Sequence, residues 1–235
     1  MDDYSPNPFQ QMKPPRNPYR AQLQIWKDLY YRRKQAETIY GVEHFFLLFL
    51  CGGLMLMPAM AVRAISGSFG FLARKIAVEC YAITKLVVLC GILFSENYHH
   101  FAAFLLTIYL LCDLYLYLSG LVFLRRFYKS SGSPTRSLLL LGVNFCELLV
   151  SFAIFYGYTQ SISGTSTVSI PLSDSWSLLY FSCVTSATVG YGDFIPNGTT
   201  GQKLIVFQIL SSIAFASVFI SFFVNNLSVH ANTKK

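Results

Sequence analysis

Charge is scarce in this sequence. Only 12% of its 235 residues are Asp, Glu, Lys or Arg, while 54% are hydrophobic; an ordinary soluble domain carries roughly 25% charged residues. A chain with so little charge cannot cover a water-facing surface, so lipid must form part of its solvent. Constellations for metal or redox chemistry are missing as well. The cysteines Cys51, Cys80, Cys90, Cys112, Cys146 and Cys183 each lie in or beside an apolar run, and none makes a close-spaced pair. That spacing fits neither a zinc site nor a disulfide framework, and small buried apolar residues are the plainer reading. The histidines His44, His99, His100 and His230 form no nucleophile or ligand cluster, so no enzyme is expected and no cofactor is implied. The first forty residues are polar and proline-rich, which is not the pattern of a cleavable leader.

The charge that is present is unevenly placed. The net charge is +7, and the basic residues stand in tails and short loops between apolar runs. This is the pattern of a membrane protein facing anionic inner-leaflet lipid, and it argues against a nucleic-acid partner. Residues 1–42 read as a cytoplasmic-type basic tail. Within it, Ala21 to Thr38 is expected to be a surface helix with Leu23, Trp26, Leu29 and Tyr30 on one face. Five apolar segments follow, Glu43 to Val62, Ile76 to Phe94, Phe101 to Leu124, Ser137 to Tyr158 and Lys203 to Leu227. Each is near or above the roughly 20 residues needed to span a bilayer. In the first, Gly52-Gly53 and Pro58 could break the run into a re-entrant or interfacial hairpin. The expected fold is therefore an all-α membrane protein of four or five transmembrane helices. Residues 43–136 form an N-terminal membrane domain, 137–230 a second domain, and 231–235 a short tail.

Between the fourth and fifth segments lies a stretch of another kind. It opens polar and then offers a short helix, Asp174 to Thr185, behind Pro171 and with Ser173 as a candidate N-cap. About 12 residues cannot cross a bilayer, so this helix must enter and turn back, with protein or water satisfying its ends. It leads directly into Thr188-Val189-Gly190-Tyr191-Gly192-Asp193.

Here the sequence resembles the potassium channel pore family, whose filter motif is T-V-G-Y-G-D placed after a short helix between two spanning helices. The resemblance implies that residues 137–230 are a pore domain of outer helix, re-entrant pore helix, filter and inner helix. Thr188, Val189, Gly190, Tyr191 and Gly192 would form the selectivity filter. The backbone carbonyls of Thr188, Val189, Gly190 and Tyr191 would replace the water that K+ sheds. Gly190 and Gly192 would supply the positive φ that aims successive carbonyls inward. One strand provides a quarter of each oxygen ring, so a C4 homotetramer is expected. Tyr180-Phe181 stands where many relatives carry two tryptophans; the Tyr180 hydroxyl could still bond Asp193 behind the filter. Val184 replaces a glutamate found in some relatives, which removes a carboxyl pair there. The loops carry no Lys or Arg from Ser95 to His100 or from Thr159 to Gln202, only Glu96, Asp174 and Asp193. An acidic outer mouth of that kind concentrates cations. Asn197-Gly198-Thr199 is a glycosylation sequon close to the filter.

The expected function is that of a potassium-selective channel subunit in the plasma membrane, partnered by K+ and lipid. The alternatives are a non-conducting or regulatory channel subunit, or a pore-loop subunit of a cation transporter. No apolar segment repeats Arg or Lys at every third position, so the usual voltage sensor is not expected. Lys85, Asp113 and Glu147 lie about 10 residues from the inner ends of their segments, at about 15 Å depth. Charges there should pair or face water, and a Lys85–Asp113 ion pair, or a network sensing voltage, protons or a ligand, is the expectation. From Lys203 to Leu227 there is neither Gly nor Pro, which predicts a fairly straight inner helix. Ala216, Ile220 and Val224, four apart, are the candidate pore-lining and gate residues.

Overall fold

The computed structural model describes residues 18–31, 41–124, 134–165 and 174–232. The chain divides into two units. The first holds α1 (Pro18–Tyr30), α2 (Val42–Leu56), α3 (Pro58–Gly67) and one half each of α4 (Phe71–Phe94) and α5 (Phe101–Phe123). The second holds the other halves of α4 and α5, then α6 (Pro134–Thr159), β1 (Ile162–Gly164), α7 (Ser175–Ser186), β2 (Phe194–Pro196) and α8 (Gly198–Asn232).

Among the described residues, α4, α5, α6 and α8 are long and apolar enough to cross a membrane. Together with the helical character of the described residues, this makes it an integral, all-α membrane protein, with one short two-stranded ribbon among those residues. The first apolar segment breaks as a bent pair, α2 and α3 meeting at 65°. Gly52-Gly53 stays helical inside α2, and the break falls at Met57-Pro58 instead. Proline has no amide proton to continue the ladder, and it forces the residue before it out of the α region; Met57 accordingly sits at φ −84, ψ 143.

In the first unit α1 does more than lie on a surface. Its Leu29 is buried with Leu47, Leu50, Cys51 and Leu124, and Ile25 and Trp26 pack against that cluster. Leu23 and Tyr30, expected on the same face, are exposed instead. The buried stripe is Gln22, Ile25, Trp26 and Leu29, spaced at three and four residues as one helix face requires. Residues 1–17 and 32–40 lie outside the described residues, as does the loop carrying Arg125, Arg126 and Lys129.

The second unit is organised around α6, whose Leu148, Phe152, Ala153, Ile154 and Tyr156 are fully buried. The pore-helix candidate α7 and the long α8 pack on it. Ser175 Oγ donates to the Leu93 carbonyl at 2.7 Å, and Trp176 meets Phe94 with ring centres 4.9 Å apart. The start of α7 is thereby fixed on the end of α4. The ribbon pairs β1 and β2 antiparallel, Ile162 opposite Pro196 and Gly164 opposite Phe194. Asn197 N donates to the Ser161 carbonyl at 2.7 Å beside it. A Cβ on Gly201 would run into that same carbonyl and into Pro196, so only glycine lets α8 leave the ribbon so closely. The helix starts at Gly198, five residues earlier than the apolar pattern suggests.

Candidate functional site

At 12 residues, α7 is about 18 Å long, well short of the bilayer core. Its cap is Asp174, one residue beyond the expected Ser173, which lies outside the described residues. The Asp174 carboxylate accepts from Ser177 N at 3.3 Å and lies 3.4 Å from Ser177 Oγ. A carboxylate there also complements the positive end of the helix dipole.

The other end of α7 unwinds into the filter motif through a run of short backbone bonds. Ala187 N donates to Cys183 O at 2.9 Å, Thr188 N to Thr185 O at 3.1 Å, and Val189 N to Val184 O at 3.1 Å. Val184 thus serves the turn through its carbonyl, and no carboxylate stands in its place. The negative end of the helix dipole sits directly at Thr188, where it favours a cation.

From there the backbone alternates. Thr188, Gly190 and Gly192 have φ of 57, 59 and 79, while Val189 and Tyr191 between them keep negative φ. In a strand of uniform φ sign, successive carbonyls point to opposite sides. Alternating left- and right-handed residues turn every second peptide over, so amides gather on one side and carbonyls on the other. A row of converging carbonyls is a chain of hard oxygen ligands suited to a bare cation. Thr188 holds a left-handed conformation without being glycine, and its Oγ1 donates to Ala187 O at 2.7 Å.

The exit from the motif is braced. Tyr180 Oη donates to Asp193 Oδ2 at 2.7 Å. This bond pushes the Tyr180 phenol up to about 12, because losing its proton would set two negative oxygens together. Asp193 Oδ1 accepts from Phe194 N at 3.0 Å, and the Asp193 carbonyl accepts from Thr165 N at 2.9 Å. One carboxylate therefore ties the end of the motif to α7 and to the ribbon.

A second brace escaped the sequence reading. Gln208 of α8 is wholly buried. Its Oε1 accepts from Tyr156 Oη at 2.6 Å, and its Nε2 donates toward Ser182 O, Ser182 Oγ and Ser186 Oγ at 2.8, 2.8 and 2.7 Å. The signal in the sequence is a lone glutamine inside an apolar run, which must find partners within the protein.

Of the mid-membrane charges, Lys85 and Glu147 come together, Nζ to Oε1 at 3.0 Å, with Glu147 wholly buried. The expected network of Lys85, Asp113 and Glu147 thus includes a Lys85–Glu147 ion pair. Asp113 Oδ2 accepts from Tyr81 Oη at 3.0 Å.

α8 runs unbroken from Gly198 to Asn232. Ser211 Oγ bonds back to Phe207 O at 2.7 Å and Ser212 Oγ to Gln208 O at 2.9 Å. Ala216 and Ile220 are exposed on the single chain; the side chain of Val224 lies outside the described residues.

Residues 145–229 match the family model described as "Ion channel". The chain is 36% identical over 77 residues to Two pore potassium channel a of Oryza sativa subsp. japonica, a match covering 33% of this chain and 21% of that relative. No solved structure matches. The family match begins within α6 and ends within α8, enclosing the short helix, the alternating backbone and both braces. Residues 145–229, about a third of the chain, are therefore similar to an ion-channel domain, and the chain matches about a fifth of the length of that potassium channel relative.

Proposed function

We propose that this chain is a subunit of a potassium-selective channel that conducts passively through a fourfold pore. The observation that carries the reading is the alternation of φ sign at Thr188, Gly190 and Gly192, at the end of a helix too short to span. Around a fourfold axis, the carbonyls of Thr188, Val189, Gly190 and Tyr191 would stack as rings of four oxygens, each ring replacing the hydration of one side of a K+ ion. Asp193 and Tyr180 would hold the outer rings at fixed radius, and the negative end of α7 would favour the ion below them. With α4, α5, α6 and α8 all crossing the bilayer, the Arg136 end of α6 and the Asn232 end of α8 would lie on the inner side, with the filter opening outward. The natural setting is the plasma membrane. The relative named for potassium channel function supports K+ as the ion.

The test is flux. Purified protein in liposomes should pass K+ far faster than Na+, and Gly190→Ala should abolish conduction. Equal K+ and Na+ flux through the wild type would overturn the reading.

A further inference from the structure

We propose that Gln208 is a positioning residue for the filter, fastening the inner helix to the last turn of the pore helix. The proposal rests on the pore reading above and adds a role for a residue in no filter motif. Three features of the geometry carry it.

The first is the number of elements one side chain joins. Gln208 stands on α8. It accepts from Tyr156 of α6 at 2.6 Å and donates to Ser182 and Ser186 of α7 at 2.7–2.8 Å. Ser182 Oγ in turn donates to Leu149 O of α6 at 2.7 Å. The carbonyl of Ser182 can only accept, so the amide nitrogen must face α7 and the amide oxygen must face Tyr156. The two N–H groups serve three acceptors, so one of them is shared. Tyr156, Ser182 and Gln208 are all wholly buried. Removing one partner would strand the others without water.

The second is the place it grips. Ser186 is the last residue of α7, two residues before Thr188. The amides of Thr188 and Val189 hang from the carbonyls of Thr185 and Val184 in the same turn. A shift of Ser186 therefore moves the first carbonyls of the filter. A leucine at position 208 would pack there, but it would leave that turn held by apolar contact alone.

The third is what lies below. Ser211 and Ser212, one turn further along α8, bond back to Phe207 O and Gln208 O. Hydroxyls bonded in this way loosen a helix and let it bend. Gln208 thus anchors α8 one turn before two serine hydroxyls that bond back to the helix, so that motion of the part beyond them bears on the filter through this amide.

The experiment compares K+ and Na+ permeability of reconstituted wild type, Gln208→Leu, Ser186→Ala and Ser186→Thr, with assembly size measured alongside. Gln208→Leu should lower the K+/Na+ ratio by roughly tenfold, the scale of one buried hydrogen bond. Ser186→Ala should lower it by less, Ser186→Thr should restore it, and the double variant Gln208→Leu/Ser186→Ala should be no worse than Gln208→Leu, because both remove one shared interaction. A wild-type ratio in assembled Gln208→Leu, or equal defects in Ser186→Ala and Ser186→Thr, would overturn the proposal. If Gln208→Leu does not assemble, Ser186→Ala decides the matter, and an unchanged ratio there overturns it. Should the wild type itself fail to prefer K+, the pore reading falls. The brace is then judged by amide hydrogen exchange at Thr188 and Val189, which should quicken in Ser186→Ala; unchanged exchange would refute it.

Discussion

Gly190 is constrained by conformation and not by space. A Cβ built on it meets nothing within 4 Å in the single chain, but its φ is 59. For an L side chain that region costs roughly 1–2 kcal/mol per residue, and a fourfold ring would incur it four times. Gly190→Ala should therefore fold and insert yet lose K+ conduction, as read by flux; preserved selective conduction would remove the filter assignment. Tyr180 yields a prediction in pH. Its phenol is raised from the ordinary 10.0 to about 12 by the bond to Asp193. A raised folded value means the bond's contribution is complete below about pH 10 and is lost as pH climbs through about 12. Ion selectivity should thus hold from neutral pH to about 10 and decay above it, whereas Tyr180→Phe should show the impaired value throughout. A Tyr180→Phe protein that matched the wild type at neutral pH would show that Asp193 needs no such partner. The positive φ at Gly190 and Gly192 was legible in the sequence because glycine reaches that region without steric cost. Gln208 was not, because one polar residue in an apolar helix says only that a partner exists, and the partners lie 22, 26 and 52 positions away.

At the scale of elements, long helices were the readable part. Apolar length specifies a span almost regardless of packing, so the segments of α4, α5, α6 and α8 could be read within a few residues of their ends. What could not be read was how helices choose neighbours. The face of α1 was read correctly at Trp26 and Leu29 but not at Leu23 and Tyr30, which share its apolar character; only the fold shows that Gln22 and Ile25 take their place. The partners of Lys85 could not be singled out for the same reason: depth in the membrane identifies charges that must pair, but the carboxylates of Asp113 and Glu147 lie at similar depth. With Glu147 at 3.0 Å from Lys85, the expectation is specific. Lys85→Met alone strands a buried carboxylate and should cost roughly 3–5 kcal/mol, whereas Lys85→Met with Glu147→Leu removes both charges and should recover most of that loss. Thermal unfolding in detergent measures both variants; a double variant no more stable than the single one would mean that the pair does not carry α6.

The whole molecule raises the question of how many chains make the pore, and the single chain already displays an unfinished surface. Val189 and Tyr191, the apolar residues of the filter strand, are 51% and 70% exposed, and Ile213 and Ile220 on α8 are 53% and 61% exposed. Exposed apolar residues on a spanning helix face lipid at no cost, but the filter strand is non-helical backbone. Irregular backbone at membrane depth is tolerated only where protein buries it or water fills the cavity it lines. The carbonyl side of residues 188–191 needs water or ions, and the Val189 and Tyr191 side chains need protein behind them. A second chain alone would leave the carbonyl row open on one flank. In the proposed fourfold assembly, closed cyclic symmetry would complete the lining, and four strands would give each cation the eight oxygens of two successive rings. The intact assembly should therefore have four times the mass of the chain when measured in detergent with K+ present. K+ should also raise its thermal stability more than Na+ does, since an ion held by the completed rings binds only the assembled state. A monomeric or dimeric mass, with no difference between K+ and Na+, would show that these strands do not meet around a fourfold axis.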